Sequence, residues 1–166
     1  MLKFKLEQVA INPVDPVAAK ELLIAIGATE WVKDHVTAHG RVFGEEGTNE
    51  ADLRFNYDLF NQEKPGEFEI LHYTEGDNWL NDPGRANTVS HFGMHCSADE
   101  LKEWRKFFAG RSIKVAQEVF TKEHTNEVIA GKRWYNYVIF DTKGILGVDL
   151  KFIVRLEQEG GSTNES

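Results

Sequence analysis

At 166 residues, 41% hydrophobic and 11% aromatic, the chain is long enough to pack a core in one domain or two small fused ones. Its formal charge of −8 repels nucleic acid and anionic membrane surfaces, and its lysines and arginines are scattered rather than gathered into a basic patch. One cysteine, Cys96, excludes an intrachain disulfide and a cysteine-rich zinc module, and no apolar run approaches the ~20 residues that span a bilayer.

In chain order, MLKFKLEQVAIN lacks the apolar stretch and cleavage site of a secretory signal, so the expected compartment is the cytoplasm. Residues 3–12 alternate and then turn apolar, as a strand does. Asp15 and Pro16 suit a helix cap and first turn, and a helix over 17–28 stops at Gly27. Strands are predicted at 31–44, 51–60 and 66–73, with the acidic Glu45, Glu46, Glu50 and Asp52 read as a solvated cluster. After a turn-rich stretch at 74–87 the order repeats. A strand at 89–96 leads to Ser97, which with Glu100 forms a capping box for a helix over 98–110. Strands follow at about 113–122, 133–140 and 147–155, and the polar EQEGGSTNES closes the chain as a flexible tail, 157–166.

Two β-α-β-β-β units in one short chain form an internal repeat, divided here at residues 1–80 and 81–156. Each half alone is marginal for burying a core. The expectation is an α+β protein in which the two modules build a curved mixed sheet around a cavity, each with a helix on its convex side. Side chains alternate along a strand, so apolar faces packed on the helices turn Gln8, Glu69, His91 and Asp149 into that cavity.

The runs 8-QVAINPVDP-16, 68-FEILHYTEG-76, 90-SHFGMHCSAD-99 and 141-DTKGILGVDLKF-152 resemble strands of the vicinal oxygen chelate superfamily, over about residues 3–155. That superfamily holds glyoxalase I, methylmalonyl-CoA epimerase, extradiol dioxygenases, and fosfomycin- and bleomycin-resistance proteins. The resemblance implies one divalent metal ion (zinc, nickel, manganese or iron) held by Gln8, Glu69, His91 and Asp149. Glu69 and Asp149 would be the catalytic acids of a lyase or isomerase acting on a small substrate that chelates the metal through adjacent oxygens. It also implies a homodimer. Two histidines and a glutamate usually hold the iron of the dioxygenases, which fit less well because Gln8 stands where a histidine belongs.

Lys151 shares the face of Asp149 and is the competing alignment for the fourth ligand, where it would neutralise Glu69 or Asp149 and leave the site metal-free. In that case the resemblance implies a protein that sequesters a small molecule, as bleomycin-resistance proteins do. Asn12 occupies the place of a glutathione-holding arginine of glyoxalase I and is read as a pocket residue.

His91 and His95 lie ~13 Å apart along a strand, too far to share an ion, so His95 is assigned to the pocket wall. Cys96 alternates toward the helix and is read as a buried, inert thiol. Trp31, Phe55, Tyr57, Trp134 and Tyr137 suit either a pocket for a planar ligand or the core.

Overall fold

The computed structural model describes residues 1–60, 63 and 66–156; the predicted tail at 157–166 lies outside the described residues. The elements run β1 (Gln8–Ile11), α1 (Pro16–Ala25), β2 (Trp31–Val42), β3 (Glu45–Asn56), β4 (Glu67–Gly76), a 3-10 turn (Pro83–Arg85), β5 (Val89–His95), α2 (Ala98–Ala109), β6 (Val115–His124), β7 (Trp134–Phe140), α3 (Lys143–Leu146) and β8 (Asp149–Leu156). The β-α-β-β-β order occurs twice, with the single-turn α3 added before the last strand. Both predicted caps form. Asp15 accepts from the amides of Val17 and Ala18, and Ser97 and Glu100 make a reciprocal capping box.

The strands close into one barrel in the order β1-β4-β3-β2-β6-β7-β8-β5. Each half supplies four neighbouring strands, and the halves join along two antiparallel seams, β1 beside β5 and β2 beside β6. The second seam turns the expected open concavity into a closed ring. It exists because β2 and β3 form a hairpin of 12-residue strands that turns tightly at Phe43 (φ 46°) and Gly44 (φ 85°). Two successive left-handed residues give the turn whose twist matches antiparallel strands. Glu45, Glu46, Glu50 and Asp52 are therefore strand residues rather than loop, and Glu50 and Asp52 flank His35 across the ladder at 3.1 and 2.8 Å. Acidic composition argued against a strand there, and pairing along the whole of β2 overrides it.

Two apolar clusters sit on opposite sides of the ring. Outside, Leu101, Trp104 and Phe108 of α2 pack on Met94, Val138, Phe140, Phe152 and Val154. The predicted strand over 3–12 forms only at Gln8–Ile11, and Leu2 and Phe4 ahead of it join this cluster. Inside, Val36, Ala51, Leu53, Leu71, Ala116 and Ile139 surround Trp79, which the linker between the halves sends into the barrel. Each helix lies against its own half, α1 against β4 and α2 against β8, but no residue of α1 is fully buried.

Candidate functional site

The register across the seam defines which residues are counterparts. On β1 and β5, Gln8 lies opposite Gly93 and Ala10 opposite His91, and Gln8 meets His91 across the seam at 2.7 Å, which places the pseudo-twofold at Val9 and Phe92 and pairs Gln8 with His91 and Ala10 with Gly93 as counterparts. Ala10 is the partner of Glu69 on β4, and Gly93 is the partner of Lys151 on β8. Lys151 is therefore the counterpart of Glu69. By the same step Glu67, beside Gln8, is the counterpart of Asp149, beside His91.

Gln8, Glu69, His91 and Lys151 meet at the β1/β5 seam, all nearly sealed from solvent. A Cβ at Gly93 would stand 3.0 Å from Gln8 Oε1, so the glycine leaves Gln8 room to cross the seam. Gln8 Nε2 donates to Glu67, which fixes the amide so that Oε1 accepts from His91 Nε2–H at 2.7 Å. His91 Nδ1 lies 3.2 Å from Ser90 Oγ. Burial, reinforced by the Lys151 charge, holds His91 well below the usual imidazole range, so it is neutral.

Glu69 Oε1 is 3.6 Å from His91 Nε2 and 3.9 Å from Lys151 Nζ, and it has no hydrogen-bond partner among the described residues. Burial raises the Glu69 carboxyl to about 7, against the pull of Lys151. The Lys151 ammonium rests over the Tyr137 ring, 4.4 Å from its centroid.

Asp149, predicted as fourth ligand and base, is committed elsewhere. One carboxylate oxygen takes the Trp79 indole N–H at 3.1 Å and the Arg85 guanidinium; the other takes the amides of Thr142 and Lys143 at 3.1 and 3.0 Å. Asp149 thus caps α3 and, with Asp141, anchors Arg85 and the linker. Asn12 is not with the others either. It bonds the Arg85 carbonyl at 2.6 Å and accepts from Thr88, tying the end of β1 to the 3-10 turn.

A cavity of about 370 Å³ opens over Glu69 and Lys151. Its walls include Leu53, Phe55, Tyr57, Tyr135, Tyr137 and Ile153, with Glu67, Arg133 and His95 among its polar residues. The His95 side chain is 54% exposed and lies 3.1 Å from Glu7. Trp31 and Trp134 do not line the cavity. Cys96 is half-buried against the α2 cluster, and burial pushes its thiol up to about 11, which leaves it protonated.

Sequence reasoning passed over Glu67, although the Glu67–Phe68–Glu69 alternation already put both carboxylates on one face. It also passed over the buried Asp34–His124 pair at 2.7 Å, for which no motif exists, and the Trp79–Arg85 anchor, because linker residues carry no periodicity.

Whether this donor set suits a divalent ion turns on charge. Three ligand types converge, but the fourth position holds an ammonium, and the Gln8 oxygen and the His91 nitrogen are already bonded to each other. A divalent ion about 4 Å from a unit charge gains or loses about 8 kcal/mol at an effective dielectric of 20. The attraction of Glu69 is thus offset by the repulsion of Lys151, and nothing remains to compensate dehydration of the ion. The residues present do not fit a resident divalent metal. Among the described residues no group of three or more histidine, cysteine, aspartate and glutamate side chains is arranged to hold one.

No protein-family profile and no curated protein matches the chain in sequence. In structure it is similar to a Streptomyces coelicolor methylmalonyl-CoA epimerase variant in complex with 2-nitronate-propionyl-CoA, at 13% identity and TM-score 0.50, covering 90% of this chain and 93% of that one. A second variant of the same enzyme gives 12% identity and TM-score 0.50, with 90% and 96% covered. A methylmalonyl-CoA epimerase in complex with methylmalonyl-CoA and ammonium gives 13% and 0.50, with 90% and 93% covered. Likeness at these identities speaks for architecture, and together with the doubled β-α-β-β-β ring it shows that the chain has the fold of the vicinal oxygen chelate superfamily.

Proposed function

We propose that this chain holds a small organic molecule in the barrel-end cavity without a resident divalent ion, the Lys151 ammonium supplying the positive charge. The observation that carries this reading is the register. Lys151 is the counterpart of Glu69, and its ammonium is 3.9 Å from a carboxylate oxygen that has no hydrogen-bond partner among the described residues. Of the two functions the sequence resemblance implies, this favours metal-free sequestration over the metal-dependent lyase.

A second reading, proton transfer on the bound molecule, is supported by Glu69 alone. A carboxyl raised to about 7 at a cavity floor has the basicity that suits a general base near neutral pH. Solved structures with this fold include enzymes named epimerases. The hydrogen bonds at both Asp149 oxygens weigh against that part for Asp149. The apolar side chains exposed on α1, among them Val17 and Leu22, support the further proposal of a homodimer, which sedimentation would measure.

The decisive experiment is elemental analysis of the purified protein, followed by thermal shift with zinc, nickel, manganese and ferrous iron. The expected result is far less than one divalent ion per chain and no movement of Tm. One tightly held ion per chain would sink the metal-free reading.

A further inference from the structure

Resting on that metal-free reading, we infer the class of molecule that the cavity takes: a planar, uncharged compound whose polar edge presents a hydrogen-bond donor beside an acceptor, as in a lactam. The floor of the cavity sets the edge. Among the described residues Glu69 Oε1 has no hydrogen-bond partner, and Lys151 Nζ stands 3.9 Å from it, beyond the reach of a direct bond. Above the Glu69 value of about 7 its carboxylate only accepts, and an ammonium only donates. A ligand that satisfies both therefore offers a donor to Glu69 and an acceptor to Lys151 from neighbouring atoms.

Charge balance sets the neutrality. Once Glu69 is ionised, above about pH 7, carboxylate and ammonium compensate each other at the cavity floor, where Glu69 is 1% and Lys151 6% exposed. An anionic or cationic ligand head would leave one charge unpaired in this buried place. The walls set the shape. The rings of Tyr135 and Tyr137 lie within 7° of parallel, 5.6 Å between centroids, and Phe55, Leu53 and Ile153 add apolar surface. The stacked tyrosines and these apolar side chains make flat walls that favour a planar ligand, and about 370 Å³ accommodates a fused two-ring molecule.

The test is calorimetric titration of the full chain with 2-quinolone, its N-methyl derivative and quinoline-2-carboxylate. The first has the paired donor and acceptor, the second lacks the donor, and the third is an anion. Saturable binding of 2-quinolone is expected, at least tenfold tighter than either of the others, with the preference over the N-methyl compound falling in Glu69→Leu and affinity falling in Lys151→Met.

Equal affinity for 2-quinolone and its N-methyl derivative, tighter binding of the carboxylate, or no saturable binding of 2-quinolone overturns the inference. The ligand comparison is made on the wild-type protein, so it does not depend on either variant folding. Tight binding of the carboxylate to metal-free protein would overturn this ligand class and leave the metal-free cavity standing. A stoichiometric divalent ion would remove the cavity reading itself.

Discussion

The two halves share a backbone plan but differ in how they bury it. In the second half α2 sinks Leu101, Trp104 and Phe108 into the convex face, with Phe108 stacked on Phe140 at 4.2 Å and Trp104 tilted against Phe152 at 5.0 Å. In the first half α1 touches β4 without fully burying any residue, and its Val17 and Leu22 are 57% and 65% exposed. The inner faces differ as much. Glu69 and Lys151 are counterparts of opposite charge. Glu67 and Asp149 are counterparts of like charge, yet one faces the cavity and the other is locked to Arg85. Repetition therefore fixes where side chains stand, while the residue type at each place decides packing and chemistry.

The largest expected effect tests the packing difference. Trp104→Ala should cost about 3–5 kcal/mol in urea unfolding, because it removes the ring that joins α2 to its sheet. Leu22→Ala should cost no more than about 0.5 kcal/mol. A comparable loss at Leu22 would mean that α1 is covered in solution, and sedimentation of both proteins would show by what.

Next comes the linker anchor. Arg85→Met should cost about 3–5 kcal/mol by leaving Asp149 buried without its cation, whereas Glu67→Gln at the counterpart position should cost about 1 kcal/mol. Equal losses at the two positions would end the claim that the halves differ there.

How much of this was legible in the sequence follows from the physics of each signal. The doubled unit, both helix caps and the inward turn of Gln8, Glu69 and His91 rest on local alternation and capping chemistry, and the structure has them in place. Barrel closure was not legible, because it needs a left-handed Phe43 at the hairpin tip and pairing between β2 and β6, far apart in sequence. Alternation put Asp149 and Lys151 on one face but could not choose between them. That choice lies in a register two residues long and in Arg85 and Trp79, which reach Asp149 from the linker.

The Glu69–Lys151 contrast also sets a pH dependence. A carboxyl near 7 in the fold and about 4.5 in the unfolded chain makes the folded state bind more protons between those values, so its contribution to stability falls as pH rises through that window. Over the full window the loss is about 3 kcal/mol. His91 runs the other way, since its lowered value makes stability fall as pH drops below about 6.5. Subtracting the Glu69→Gln profile from that of wild type isolates the first trend: wild type should lose ground to the variant from pH 5 to 7.5. A flat difference would place the Glu69 carboxyl in water.

The smallest effect is the sharpest on chemistry. If Lys151 and Glu69 are counterparts, Lys151→Glu converts an amide, an imidazole, a carboxylate and an ammonium into a set with two carboxylates, whose charge compensates a divalent ion. At a zinc concentration about 100 times Kd, the variant should gain about 2.7 kcal/mol, seen as a Tm rise of roughly 5–10 °C, while wild type does not move. The gain should disappear when His91→Ala is added, since that removes the only imidazole of the set. Zinc stabilising wild type and variant alike would show that the ammonium does not exclude the ion. Zinc stabilising neither would show that residue 151 stands outside the coordination sphere, and the equivalence drawn from the strand register would then fail at the one place where the two halves meet in chemistry.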